Sequence, residues 1–105
     1  MRTTLVKVTI VSERLLKDEL ITLVKEAGAT GFSLTAVEGE GSRAVRAGDW
    51  EGRNVMLETL VSHSVADGIL DTLDERYFKD YAVIAWLTEV SVLRGDKFLG
   101  GKRNS

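Results

Sequence analysis

The 105-residue chain contains no cysteine and no proline. Without thiols there is no disulfide, no thiolate metal ligand and no cysteine nucleophile. Without proline, the strong breaking signals are the ten glycines, and several of these gather between Gly39 and Gly52, marking that stretch as the one unusual loop. The single histidine, His63, has neither cysteine nor a carboxylate cluster to complete a metal site, so it reads as a structural or surface residue. An excess of positive charge is also lacking: 14 Lys and Arg stand against 16 Asp and Glu, a formal net charge of −2. General nucleic-acid binding needs a basic surplus on one face, so nucleic acid is not an expected partner and any anion site must be local. The N-terminal stretch alternates polar and apolar residues from Thr3 to Val11, unlike a signal-peptide core or a membrane span. A cytoplasmic protein without direct membrane insertion is the expectation.

What is present is a chain 44% hydrophobic and 29% charged, with its apolar residues spread throughout. That composition fits one soluble globular domain over residues 1–105. Val6, Val8 and Ile10 fall on one face and Lys7 and Thr9 on the other, the period-two pattern of a half-buried first strand. Ser12 is the expected cap of a first helix carrying Leu16, Leu20, Leu23, Val24 and Ala27 at helical spacing and stopping at Gly28. Alternation returns from Thr30 to Val37, and again from Asn54 to Val61. Ser64, with Asp67 three positions on, predicts the cap of a second helix with Val65, Ile69, Leu73 and Tyr77 along one stripe, ending near Lys79. Tyr81 to Val92 is rich in β-branched and aromatic residues and reads as strand four, followed by a polar tail from about residue 96 to 105.

The order β-α-β-β-α-β defines an α+β, ferredoxin-like fold with a four-stranded antiparallel sheet. Helices cover only one face of such a sheet. Trp86, Leu87 or Met56 are therefore expected to leave an apolar surface on the other, which favours oligomerisation. Trp86, flanked by Ala85 and Leu87 in what reads as a central strand, is assigned to sheet or subunit packing. Asp71, Asp74 and Glu75 read as a solvated helix face, and no catalytic pair is inferred.

In the loop of residues 38–53 stands Gly39-Glu40-Gly41-Ser42-Arg43-Ala44-Val45-Arg46. Glycines let backbone N–H groups approach a phosphate, Ser42 adds a donor, and the guanidinium forks of Arg43 and Arg46 offer paired donors to anionic oxygens. This is binding chemistry, not bond breaking, and the chain is not expected to be an enzyme. By spacing alone, a solvated hairpin tip would use the same residue types. Trp50, in the same loop, is a candidate partner-binding anchor or a residue packed locally on the loop.

Set after strand two, the string GxGSRxVR resembles the PII-like signalling proteins, in their SbtB-type, carboxysome-associated branch. A second motif, Tyr77-Phe78-Lys79-Asp80-Tyr81, is similar to the YFxDY link of that branch, and the likeness runs over nearly the whole chain. The resemblance implies a homotrimer that binds adenine nucleotides (AMP, ADP, ATP or cyclic AMP, with ADP and AMP foremost) in clefts between subunits. It also implies that the 38–53 segment, as a T-loop, reports occupancy. Carried over by position, Gly41, Ser42, Arg43 and Arg46 would hold phosphates, Gly39 would let the ligand pass, and the backbone near Tyr81 and Val83 would border the adenine. Ser33 would come from the neighbouring subunit. Bicarbonate is the other implied ligand, and a bicarbonate transporter or carboxysome-related protein the implied partner. The chain departs from the branch at Val83, where glycine can stand, and lacks the cysteine pair that some members carry near the C-terminus. Its loop has no tyrosine to accept the uridylyl group of the nitrogen-signalling proteins. The same fold also serves RNA-binding modules and small metal-tolerance proteins. Strand three offers no stacking aromatic, and one histidine without cysteine offers no evident metal site.

Overall fold

The structure is a computed structural model that describes residues 2–38 and 54–98. Its elements are β1 (Arg2–Glu13), α1 (Lys17–Ala27), β2 (Ser33–Val37), β3 (Asn54–Val61), α2 (His63–Arg76) and β4 (Ile84–Leu93), with 3-10 turns at Arg14–Leu16 and Gly95–Phe98. They build one antiparallel sheet in the order β2-β3-β1-β4. This is the ferredoxin-like α+β arrangement expected from the sequence.

Residues facing each other across antiparallel strands share a face, so the register assigns every side chain. On the helix side lie Val6 opposite Val61, Val8 opposite Thr59 and Leu87, and Ile10 opposite Leu57 and Ala85. Val6, Val8, Ile10, Leu57 and Val61 form a buried core with Leu16, Leu20, Leu23 and Val24 below α1 and Ala66, Ile69 and Leu73 below α2. Thr59, polar within this layer, is satisfied by donating its hydroxyl to the Gly31 carbonyl. The helix-free face carries Leu5, Lys7, Thr9 and Val11 of β1, Met56 and Glu58 of β3, Ser33 of β2, and Ile84 and Trp86 of β4.

Helix α1 ends as the sequence indicates. Gly28 takes φ 121°, a left-handed conformation that glycine adopts without a Cβ clash. Its N–H reaches the Lys25 carbonyl, and the Ala29 N–H reaches Val24, closing a Schellman motif.

Several boundaries differ from those expected. Ser12 does not cap α1: β1 continues through Glu13, and Ser12 is buried within it, donating to the Glu13 carbonyl. The Arg14–Leu16 turn then feeds α1 with no side-chain cap. The α2 cap is Ser62 rather than Ser64, its hydroxyl accepting from the Val65 N–H, so Asp67 falls beyond a capping-box position. Helix α2 stops at Arg76, not Lys79, because the N–H groups of Tyr77 and Phe78 both converge on the Leu73 carbonyl. Strand β4 begins at Ile84 rather than Tyr81, and β2 at Ser33 rather than Thr30. Trp86 lies in an edge strand, not a central one, and is 45% exposed on the helix-free face. Leu87 is exposed too, but on the helix side of the sheet.

The cap assignment is testable by thermal denaturation. Ser62→Ala is expected to cost about 1 kcal/mol and Ser64→Ala a few tenths, the asymmetry following from which hydroxyl satisfies a helix N–H. A larger loss from Ser64→Ala than from Ser62→Ala would return the cap to Ser64.

Candidate functional site

Residue Val37 pairs with Asn54, so the 38–53 connection is rooted at one end of the sheet. At that end β1 finishes, Glu13 facing Asn54 and Val11 facing Ile84. The segment that precedes Ile84, Tyr77 to Val83, therefore lies at the same end as the loop root. Gly39, Gly41, Ser42, Arg43, Arg46 and Trp50 lie outside the described residues, whereas Ser33, Tyr81 and Val83 lie within them.

The Tyr77-Phe78-Lys79-Asp80-Tyr81 segment is a turn pinned by its first residue. Tyr77 packs into the core, and its hydroxyl donates to Glu19 Oε1 of α1 at 2.8 Å. The N–H groups of Asp80 and Tyr81 return to the Tyr77 carbonyl, and that of Val83 to the Tyr81 carbonyl. The rings of Tyr77 and Tyr81 are 5.7 Å apart and tilted by 47°. Phe78 and Tyr81 stay exposed while the Val83 side chain is buried in the core, so a ligand beside Val83 would meet backbone. Burial raises the Tyr77 pKa above its ordinary value, and the Glu19 carboxylate raises it further.

A second feature lies on the helix-free face, a cavity of about 450 Å³ lined by Lys7, Thr30 to Ser33, Glu58 to Leu60, Lys97 and Phe98. Its size is that of a small-molecule pocket. It contains Ser33 but neither Tyr81 nor Val83, so one chain does not gather the three described candidates into one site. Glu58 organises one wall: Oε2 accepts from Thr9 Oγ1 at 3.3 Å and lies 3.3 Å from Lys7 Nζ. Half-exposed, this pair adds little stability, but it holds a carboxylate and an ammonium at the pocket wall. Lys97 adds another ammonium and Phe98 an aromatic ring. Lys7, Glu58, Lys97 and Phe98 belong to no sequence motif. Only the alternation that put Lys7 on the helix-free face pointed toward them.

His63 bonds Glu89 Oε2 through Nε2 at 2.8 Å, an exposed link between α2 and β4 in keeping with a surface role. Among the described residues no group of three or more potential metal ligands is found, and no helix is long and apolar enough to cross a membrane.

The chain thus combines a ferredoxin-like sheet, a glycine- and arginine-bearing β2–β3 connection and a pocket on its helix-free face. Residues 5–97 match the model of the nitrogen regulatory protein P-II family, and the chain belongs to that family. A PII-like signaling protein from Thermus thermophilus is 50% identical, with a TM-score of 0.83 over 92% of this chain and 97% of that one. The fold is shared, at 19% identity and a TM-score of 0.83, with CPII of Thiomonas intermedia, a nitrogen regulatory PII-like protein whose structure was solved with ADP, AMP and bicarbonate. The match covers 94% of this chain and 97% of that one. GlnK of B. subtilis, 17% identical over 84% of this chain and 86% of its own, superposes at a TM-score of 0.62.

The Tyr77–Glu19 bond makes a pH prediction. A tyrosine whose folded pKa is raised contributes stability that is fully present below its unfolded pKa near 10 and lost as pH rises through the folded value. Tyr77→Phe is expected to cost about 1 kcal/mol at neutral pH. It should also remove part of the alkaline fall in stability, as read by denaturant unfolding between pH 8 and about 11. Identical alkaline profiles for parent and variant would count against the bond.

Proposed function

We propose that this chain is a non-enzymatic PII-like regulator, a single cytoplasmic domain forming a homotrimer that binds adenine nucleotides, ADP or AMP foremost, between subunits. The observation that carries the reading is the position of the Gly39 to Arg46 string in the β2–β3 connection of a P-II family fold. Two described features support it. The loop root and the Tyr81–Val83 turn share one end of the sheet, whereas the Ser33 pocket opens on the helix-free face. In a trimer, each cleft joins the first feature of one subunit to the second feature of its neighbour.

Arg43, Arg46, Ser42 and the backbone at Gly39 and Gly41 hold the phosphates. The Tyr81–Val83 backbone borders the adenine, and Ser33 comes from the adjoining subunit. Bicarbonate, bound with ADP and AMP in the Thiomonas CPII structure, is a second anion suited to the same guanidinium forks. Loop 38–53, with Trp50 as an aromatic anchor, signals occupancy to a protein of inorganic-carbon uptake, a bicarbonate transporter or carboxysome component.

Calorimetric titration with AMP, ADP, ATP and cyclic AMP tests the site. Arg43→Ala and Arg46→Ala are each expected to weaken binding at least tenfold, about 1.4 kcal/mol, without changing the ligand-free melting temperature. Affinities within about twofold of the parent would remove the arginines from the site. The assembly is tested by light scattering. The parent should have the mass of three chains, and Trp86→Glu should dissociate it, since an unpaired charge buried at an interface is strongly unfavourable. A trimeric Trp86→Glu variant would place the helix-free face of β4 outside the interface.

A further inference from the structure

We infer that Gly95 is a positioning residue for the pocket, its close packing on Thr3 fixing where Lys97 and Phe98 wall the cavity; the inference rests on the nucleotide-binding reading above. The chain leaves β4 where Leu93 pairs with Arg2, and Arg94 then takes φ 62°. A left-handed conformation is unfavourable for a residue with a Cβ. Here it turns the backbone off the sheet edge, so that the Gly95–Phe98 turn lies back over β1.

Gly95 is buried there. A Cβ built on it would overlap Thr3 Cβ and stand 2.7 Å from Thr3 Oγ1, far inside the contact distance of about 3.5–4.0 Å between carbons. The obstructing atom is a Cβ fixed to the backbone, and Thr3 is locked in register opposite Val92. Thr3 therefore cannot swing aside, and a larger residue at 95 must lift the turn instead. Thr3 shares the helix-free face with Leu5 and Lys7 by alternation, so the lift is away from the sheet surface that floors the pocket. The turn moves as a piece, because the Lys97 N–H is bonded to the Arg94 carbonyl at 3.2 Å. Two residues past the contact, Lys97 brings its ammonium, and Phe98 its ring, to the same cavity as Lys7 and Ser33. Since a charge-assisted hydrogen bond and ring packing both weaken steeply over about an ångström at contact range, the fit of one Cα against Thr3 governs affinity for an anionic, ring-bearing ligand.

The test is calorimetric titration of ADP into the parent, Gly95→Ala, Lys97→Ala, Gly95→Ala/Lys97→Ala, Thr3→Gly, and Thr3→Gly/Gly95→Ala, which carries the Cβ to the other side of the contact. Gly95→Ala is expected to weaken ADP about tenfold. In the Lys97→Ala background the same change should have a distinctly smaller further effect, since only the Phe98 wall is then left to displace, and this non-additivity marks action through Lys97. The exchange variant should bind within about threefold of the parent. A general loss of stability would weaken binding in both backgrounds alike and would not be coupled to Lys97. Should Gly95→Ala fail to fold, Thr3→Gly and the exchange variant decide: Thr3→Gly alone should weaken ADP, and the exchange should restore it. Parent-like affinity in Gly95→Ala, full additivity with Lys97→Ala, or no restoration by the exchange overturns the role of Gly95 while leaving the nucleotide site standing. A parent that binds none of AMP, ADP and ATP overturns the nucleotide reading itself, and this inference with it.

Discussion

The structure depends on the placement of β1, hydrogen-bonded along one edge to β3 and along the other to β4. A strand held on both edges cannot slip, since a one-residue shift would move every side chain to the opposite face. Val6, Val8 and Ile10 are buried on the helix side, and Leu5 and Thr9 are buried on the other, so such a slip would disturb two packed layers at once. The same register distributes the candidate site. The end of β1 fixes the loop root beside the Tyr81–Val83 turn, while its middle sets Lys7 next to Glu58 and the Ser33 pocket.

How much was legible follows from how local each signal is. Strand β3 has the bounds read from its alternation, and Gly28 stops α1 where the periodicity ends, because both signals are contained in a few neighbouring residues. The caps were not legible in this way. Ser12, Ser62 and Ser64 are chemically equivalent acceptors, and the choice among them depends on how far strand pairing persists, a tertiary matter. Strand pairing through Glu13 consumes Ser12, and the end of β3 at Val61 makes Ser62 the first residue able to cap. Tyr81 to Val83 carries strand-like composition, yet the N–H groups of both residues are spent on the turn that follows α2. The pocket was the least legible feature, since Lys7, Glu58 and Lys97 come from three distant segments, and a 3-10 turn of four residues is too short to show periodicity.

The helix-free face is unevenly covered, and the unevenness has a physical origin. The Gly95–Phe98 turn packs on Thr3 of its β1 strip, which has strands on both sides, and Leu5 and Thr9 of that strip are fully buried. Its β4 strip lies at the sheet edge, and Ile84 and Trp86 remain 59% and 45% exposed. Among the described residues nothing covers that strip, and a large aromatic beside a β-branched residue is the kind of surface that repays burial.

The same arrangement also bears on where a ligand can sit. With helices committed to one face, the described residues offer a turn at one end of the sheet and a pocket on the other face, and no one site gathers both. On the proposed reading, a site completed by a neighbouring subunit would couple occupancy to assembly. A ligand that touches both subunits favours arrangements in which the two halves are aligned, in proportion to its difference in affinity between them. The segment best placed to feel that alignment is the 38–53 connection, because its root at Val37 and Asn54 abuts the end of β1, where the register of the whole sheet is anchored. On the proposed reading, the signal passes from ligand to loop through the rigid root, and the sheet serves as the fixed frame against which the loop changes.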